Sequence, residues 1–368
     1  MDSLVLQKPW PWQASQGFPW DGLQIFAGPS PLLLDSGETL ASWHLAYEEW
    51  GPLDGIPVVI FHALTGDSHV AAHRPGGPPG WWDGVVGPGR GLDTDRWHVL
   101  SFNVLGGAMG STGPSSRDDE GVPWGSRFPR LSLFDMARAA HLLVHSWHSE
   151  AVHLIGGSMG GMLAFAYAGL YRSEVQSILA IGAPLQHNPW AIAYHLVGRQ
   201  AIQNDPEFQG GNYYDGPGPR AGLAVARMAD MISYQHPESM NGKFGRRLQS
   251  PDHNEFQIAS YLRYQGEKLV RRFDANTYMV LTEAMDNFAM EPRHIEPLRG
   301  LPVWMLGIES DLLYMPDEIR QAYDQLQAVG IEARLEWLKG QWGHDTFLVE
   351  QEQTGRYVRE FLNAVSET

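Results

Sequence analysis

Two rhythms of apolar and polar positions run along the chain. Short apolar runs rich in β-branched residues, each bounded by turn residues, fall at Ser42–Glu48, Pro57–His62, His98–Asn103, Val152–Ile155, Val175–Ile181, Pro302–Gly307 and Ala333–Leu338. They predict strands. Apolar residues at helical spacing cover Ser132–Ser146, Met159–Tyr171, Pro316–Val329 and Thr346–Asn363. Strands that alternate with helices imply an α/β fold, a mainly parallel sheet with helices on both faces. The rhythm breaks from about Pro184 to Arg299, which holds almost no β-run. Helical patterns there span Pro189–Asn204, Gly222–Tyr234, Glu255–Arg272 and Ala275–Asn287. A helical insertion ahead of the last strands would sit over the C-terminal edge of the sheet as a lid. The expected division is a core of residues 1–183 and 300–368 with a helical lid of residues 184–299.

Composition narrows the setting. The chain has 368 residues, 43% hydrophobic and 18% charged, which suits one large domain with an insertion. No apolar run approaches the roughly 18 residues of a membrane span. The start, Met1 to Lys8, lacks the charged and apolar regions of a signal peptide. Cysteine is absent, which excludes disulfides and thiol chemistry and leads us to expect a cytoplasmic protein. A net charge of −16 argues against nucleic-acid binding. Between Pro184 and Gly300 there are 12 Lys/Arg against 13 Asp/Glu, and elsewhere 14 against 29. An anionic ligand would therefore be better received near the middle segment.

The run Val152-His153-Leu154-Ile155 leads straight into Gly156-Gly157-Ser158-Met159-Gly160 and then a helix of small residues. Strand, Gly-x-Ser-x-Gly and helix in that order form the context of a nucleophile elbow. Side chains at Gly156 and Gly160 would collide with the neighbouring strand and helix, so glycine is required at both. The serine would stand at the tip of the sheet, with the Met159 N–H facing an oxyanion.

A serine hydroxyl needs a base, and the base needs an orienting carboxylate. In this fold they follow in the order serine, acid, histidine. Asp311 lies in the loop after the apolar run Pro302–Gly307, and His344 lies in the loop after the next strand. Glu309 competes as the acid, and Asp311 is better placed in the loop. The turn His62-Ala63-Leu64-Thr65 after an early strand would supply the second oxyanion donor, at the Leu64 N–H.

Further motifs carry a resemblance. They include His62-Ala63-Leu64-Thr65-Gly66-Asp67-Ser68-His69-Val70, Trp81-Trp82-Asp83-Gly84, Asn103-Val104-Leu105-Gly106-Gly107 and Gly110-Ser111-Thr112-Gly113-Pro114. In the middle segment are Gly222-Leu223-Ala224-Val225-Ala226-Arg227-Met228 and Phe273-Asp274-Ala275-Asn276. In register from about Leu32 to Leu362, the chain resembles the homoserine O-acetyltransferase family. It departs at Ala108-Met109, where relatives often carry cysteine.

The resemblance implies an α/β-hydrolase fold with a helical lid, usually a homodimer joined through the lids. It implies acyl transfer from an acyl-coenzyme A to the hydroxyl of L-homoserine, on the path to methionine, with Ser158 acylated on the way. Arg227 would meet the α-carboxylate, Asp345 the ammonium, and Tyr234 and Thr65 would lie beside them. A zwitterion does need one cation and one anion at fixed separation, and an arginine fork suits a carboxylate. Acetyl-CoA is the expected donor, a co-substrate rather than a resident cofactor. Succinyl-using relatives carry arginine two residues after the catalytic aspartate, where this chain has Leu313. Succinyl transfer, serine as acceptor and simple ester hydrolysis are the alternatives on the same residues. No metal is expected. His141, His145 and His148 have a metal-like spacing, but no carboxylate completes a motif. The tryptophans Trp10, Trp12, Trp20, Trp81 and Trp82 read as packing for loops.

Overall fold

A computed structural model describes residues 10, 13, 18–29, 31–250 and 253–366. The N-terminal stretch read for a signal peptide and Trp12 lie outside the described residues. Eight strands form the main sheet: β1 (Gln24–Ala27), β2 (His44–Trp50), β3 (Ile56–Phe61), β4 (Trp97–Phe102), β5 (Val152–Gly157), β6 (Val175–Ile181), β7 (Val303–Ile308) and β8 (Ala333–Leu338). Their order is β1-β2-β4-β3-β5-β6-β7-β8. β1, β2 and β4 pair antiparallel. Every pair from β4 onward is parallel. β1 is four residues long, exposed at both ends and only half-buried between, and escaped the sequence pattern for that reason.

All six residues of β5 are buried. Successive side chains point to opposite faces of a sheet, so each face needs its own cover. Leu154 joins the core that includes α1 (Leu133–Trp147), α2 (Met159–Leu170) and α8 (Pro316–Ala328). Ile155 joins the opposite core, with Trp82 and with Val358, Phe361 and Leu362 of α9 (Gln351–Ser366). α1 begins where Ser132 and Asp135 exchange hydrogen bonds in a capping box. The predicted helix Thr346–Asn363 is broken at Glu350, whose ψ of 57° leaves the helical region.

Between β6 and β7 lie α3 (Pro189–Gln203), α4 (Arg220–Tyr234), α5 (Pro237–Phe244), α6 (Gln257–Val270) and α7 (Ala275–Asp286). α4 packs between α3 and α6. Two features depart from the sequence reading. Glu255 is not helical: it belongs to a small hairpin of Leu248–Ser250 against His253–Phe256, and α6 starts only after it. α5 has no strong apolar stripe to announce it, and starts on a His236 cap followed by proline.

Candidate active site

The sheet sets the positions of the serine, the acid and the histidine. Ser158 follows β5 with φ 56° and ψ −124°, a conformation that costs a non-glycine residue about 1–3 kcal/mol. Close packing enforces it. A Cβ at Gly156 would fall 2.2 Å from the Gly160 carbonyl, and one at Gly160 would fall 2.1 Å from the Phe61 carbonyl oxygen at the end of β3. The second contact also shows that the start of α2 abuts the turn after β3. The two expected oxyanion donors, the Leu64 and Met159 N–H groups, therefore belong to adjacent segments. Met159 opens α2, so its N–H has no acceptor within the helix.

Asp311 follows β7 and His344 follows β8. His344 Nδ1 lies 2.6 Å from Asp311 Oδ2. Asp311 Oδ1 is occupied by the backbone N–H groups of Leu313 (2.8 Å) and Tyr314 (3.0 Å). One carboxylate oxygen is thus fixed by the backbone and the other by the imidazole. Glu309 is exposed, so Asp311 is the acid that faces the histidine. The Ser158 N–H donates to the Ile181 carbonyl at 2.8 Å. A Cβ on the next residue, Gly182, would lie 3.3 Å from His344 Cε1. Serine and histidine thus approach adjacent residues at the end of β6, Ile181 and Gly182. His344 Nε2 is buried and has no hydrogen-bond partner. Burial lowers the His344 pKa; Asp311 and Asp345 outweigh it, and the net direction is up.

Beside this centre lie charged groups from α4 and from the segment after β8. Arg227 of α4 sits with its guanidinium 5.4 Å from the Tyr234 ring centre, and its Nη1 is buried without a partner. The Tyr234 ring lies 5.9 Å from that of His344. Asp345 Oδ2 accepts from Gln235 Nε2 at 2.7 Å. Burial raises the Asp345 carboxyl, with Arg227, His344 and Gln235 opposing, and the net is a raised pKa. Arg227, Tyr234 and Asp345 are therefore brought together next to His344.

Two residues here escaped the sequence reading. One is Gln235. The other is Arg272, whose Nη1 donates to the Thr65 carbonyl at 2.7 Å. Burial brings its pKa down to about 10, with Asp67 opposing. Thr65 thus enters the site through its carbonyl as well as by its place beside Leu64. The pair Arg271-Arg272 carries no periodicity that would tell an inward arginine from a solvated one.

Of the three histidines with metal-like spacing, His141 and His145 both face Glu174, His145 at 3.9 Å. His141 stacks on Tyr171 with ring centres 3.7 Å apart, and its Nδ1 lies 3.1 Å from Glu174. Among the described residues, two other groups have ligand atoms close enough for a metal: Glu48, His69 and His73, and His187, His195 and Asp286. In the second, Arg199 already occupies Asp286 Oδ2 at 2.5 Å. In the first, the side chains bond directly to one another.

Comparison with known proteins identifies the family. The profile of the alpha/beta hydrolase fold matches residues 56–351. The homoserine O-acetyltransferase of Symbiobacterium thermophilum is 44% identical over 355 residues, covering 90% of this chain and 92% of that protein. That of Solidesulfovibrio magneticus is 41% identical over 355 residues, covering 91% and 89%. The crystal structure of homoserine O-acetyltransferase from Bacillus anthracis superimposes with a TM-score of 0.85 at 22% identity, covering 93% of this chain and 97% of that one. With an elbow serine, an oriented histidine and this likeness over nine-tenths of its length, the chain belongs to the homoserine O-acetyltransferase family of α/β-hydrolase proteins.

Proposed function

We propose that the protein transfers an acetyl group from acetyl-CoA to the hydroxyl of L-homoserine through an acetyl-Ser158 intermediate, a step toward methionine. The observation that carries this reading is the unpartnered Nε2 of a histidine held by Asp311 beside the elbow serine. In the first half-reaction Ser158 Oγ attacks the thioester carbonyl and His344 Nε2 takes its proton. The Leu64 and Met159 N–H groups stabilise the oxyanion. Coenzyme A then leaves as the thiol, with the proton returned by His344. In the second half-reaction the homoserine hydroxyl gives its proton to His344 and attacks the acetyl carbon, and Ser158 is regenerated. The reaction needs no resident cofactor or metal.

Arg227 takes the α-carboxylate and Asp345 the ammonium, with Tyr234 and Thr65 beside them. The free Nη1 of Arg227 supports this assignment. A plain esterase would have no need for such a pair, which favours transfer over hydrolysis. Serine differs from homoserine by one methylene, worth only about 1–3 kcal/mol, so acceptor choice rests on the depth of the site. Residues 184–299 act as the lid, and two copies pair through it. Trp190, Leu196 and Val197 on α3, Val225 and Ile232 on α4, and Tyr264 on α6 are large exposed apolar side chains in support of that pairing. No helix among the described residues is long and apolar enough to cross a membrane. The cysteine-free sequence favours a cytoplasmic setting. The deciding assay is release of coenzyme A from acetyl-CoA with homoserine, with serine and with no acceptor. Release that depends on homoserine supports the reading; equal release without an acceptor points to hydrolysis.

A further inference from the structure

The turn after β3 runs into a group of buried titratable side chains that the catalytic cycle does not use. Glu48 of β2 is fully buried. Its Oε1 accepts from Ser68 Oγ at 2.6 Å. Its Oε2 lies 2.7 Å from His69 Nδ1 and 2.9 Å from His73 Nε2. The other nitrogen of His69, Nε2, lies 3.0 Å from the Pro78 carbonyl oxygen. The His69 ring is stacked on Trp20, and the His73 ring on Trp50.

Proton counting restricts what His69 can be. A carbonyl oxygen only accepts, so Nε2 carries a proton. Nδ1 faces a carboxylate oxygen at 2.7 Å, and two lone pairs cannot meet at that distance without a positive charge between them. A proton shared there belongs on the nitrogen, because two further donors, Ser68 and His73, converge on Glu48 and stabilise its anion. His69 is thus protonated on both nitrogens.

We infer that His69 is a charged imidazolium whose buried pair with Glu48 is a positioning device for the oxyanion turn, and so for acylation of Ser158. The inference rests on the proposed role of Leu64. That turn is held at three places. At its start, His62 Nδ1 lies 2.7 Å from the Ala63 carbonyl, and the Val104 N–H donates to His62 Nε2. In its middle, Arg272 holds the Thr65 carbonyl and Trp81 Nε1 donates to the Asp67 carbonyl. At its end, Ser68 and His69 are tied to Glu48. Leu64 lies between the first two holds, and the third stops the turn from sliding along β2.

The groups that face His69 are Glu48 from β2, His73 and the Pro78 carbonyl from the loop that follows, Asp67 beside it, and the face of Trp20. Burial alone would lower its pKa, but Glu48, the Pro78 carbonyl and Asp67 outweigh that, and the net is a raised value. Glu48 moves the other way: burial opposes ionisation, and His69, His73 and Ser68 bring its pKa down. A group raised in this way keeps its charge below its folded pKa and loses it as the pH rises through that value. The clamp should therefore weaken on the alkaline side.

The test uses the full-length wild-type protein and the variant His69→Gln. Nitrogen-15 NMR of the histidine rings, with the His69 signals identified by their loss in the variant, should show both ring nitrogens protonated at pH 7.5. Single-turnover release of coenzyme A from acetyl-CoA should be about 10- to 100-fold slower in His69→Gln, below the loss of a whole oxyanion donor. The KM for homoserine should be unchanged. The wild-type acylation rate should fall at high pH with the midpoint found by NMR, and the variant should lack that fall. A neutral His69 ring at pH 7.5 overturns the inference, as does a folded variant that acylates at the wild-type rate. A stoichiometric divalent metal in the purified protein also overturns it. Failure of wild-type enzyme to acylate Ser158 overturns the reading beneath it and leaves the ring measurement standing on its own.

Discussion

His344 Nδ1 and Asp311 Oδ2 are 2.6 Å apart, and the other Asp311 oxygen is held by two backbone N–H groups. The aspartate cannot turn away, so the imidazole keeps its proton on Nδ1 and presents Nε2 as a base. Asp311→Asn would replace the acceptor with an amide that can donate, and would favour the wrong tautomer. The expected loss in kcat is about 10⁴-fold, with the fold intact. Steady-state kinetics of a variant with an unchanged thermal transition check this; a loss below tenfold contradicts the role.

The pH dependence of acylation follows from the same pair. His344 must be neutral to accept the serine proton, and its pKa is raised by Asp311 and Asp345 against the effect of burial. The single-turnover acylation rate should therefore rise with pH through a midpoint above the ordinary histidine value of about 6.5. Asp345→Asn removes one of the negative charges and should move that midpoint down. Stopped-flow measurement of coenzyme A release, with no acceptor present, isolates the step. A midpoint unmoved by Asp345→Asn contradicts the coupling.

Acceptor binding is tested at Arg227. Arg227→Ala removes a charge-assisted partner worth about 1.5–3 kcal/mol, or roughly 10- to 150-fold in homoserine kcat/KM. First-step acylation should change little. Separate measurement of the two half-reactions decides the matter; slow acylation with unchanged homoserine dependence would assign Arg227 to the donor side.

Much of this centre was legible in the sequence because its parts are local. The elbow is one short run whose glycines have a single steric explanation, and the contacts at Gly156 and Gly160 are the collisions it implied. Asp311 and His344 follow strands whose apolar runs stand out. What escaped depends on contacts between distant segments. Arg272 reaches Thr65 across 207 residues of chain, and Glu48 meets His69 from β2, which β4 separates from β3 in the sheet. Neither leaves a periodic trace. The hairpin before α6 was missed because its strands are three and four residues long, too short for alternation to tell from a helix start.

Donor choice turns on charge. Succinyl-CoA would bring a carboxylate toward Ser158, and a buried anion needs a cationic partner. Leu313 is buried and offers none. Acetyl-CoA should have the higher kcat/KM at saturating homoserine. Equal or better use of succinyl-CoA would show that another side chain, such as Arg272, receives the carboxylate.

In the proposed reaction Ser158 carries the acetyl group between the two substrates. Rapid mixing with acetyl-CoA alone, acid quenching and mass analysis of the digested protein test it directly. One acetyl group is expected on the peptide that contains Ser158, with its discharge as O-acetylhomoserine when homoserine is added and no label in Ser158→Ala. Acetyl on another peptide, or steady turnover by Ser158→Ala, would contradict it.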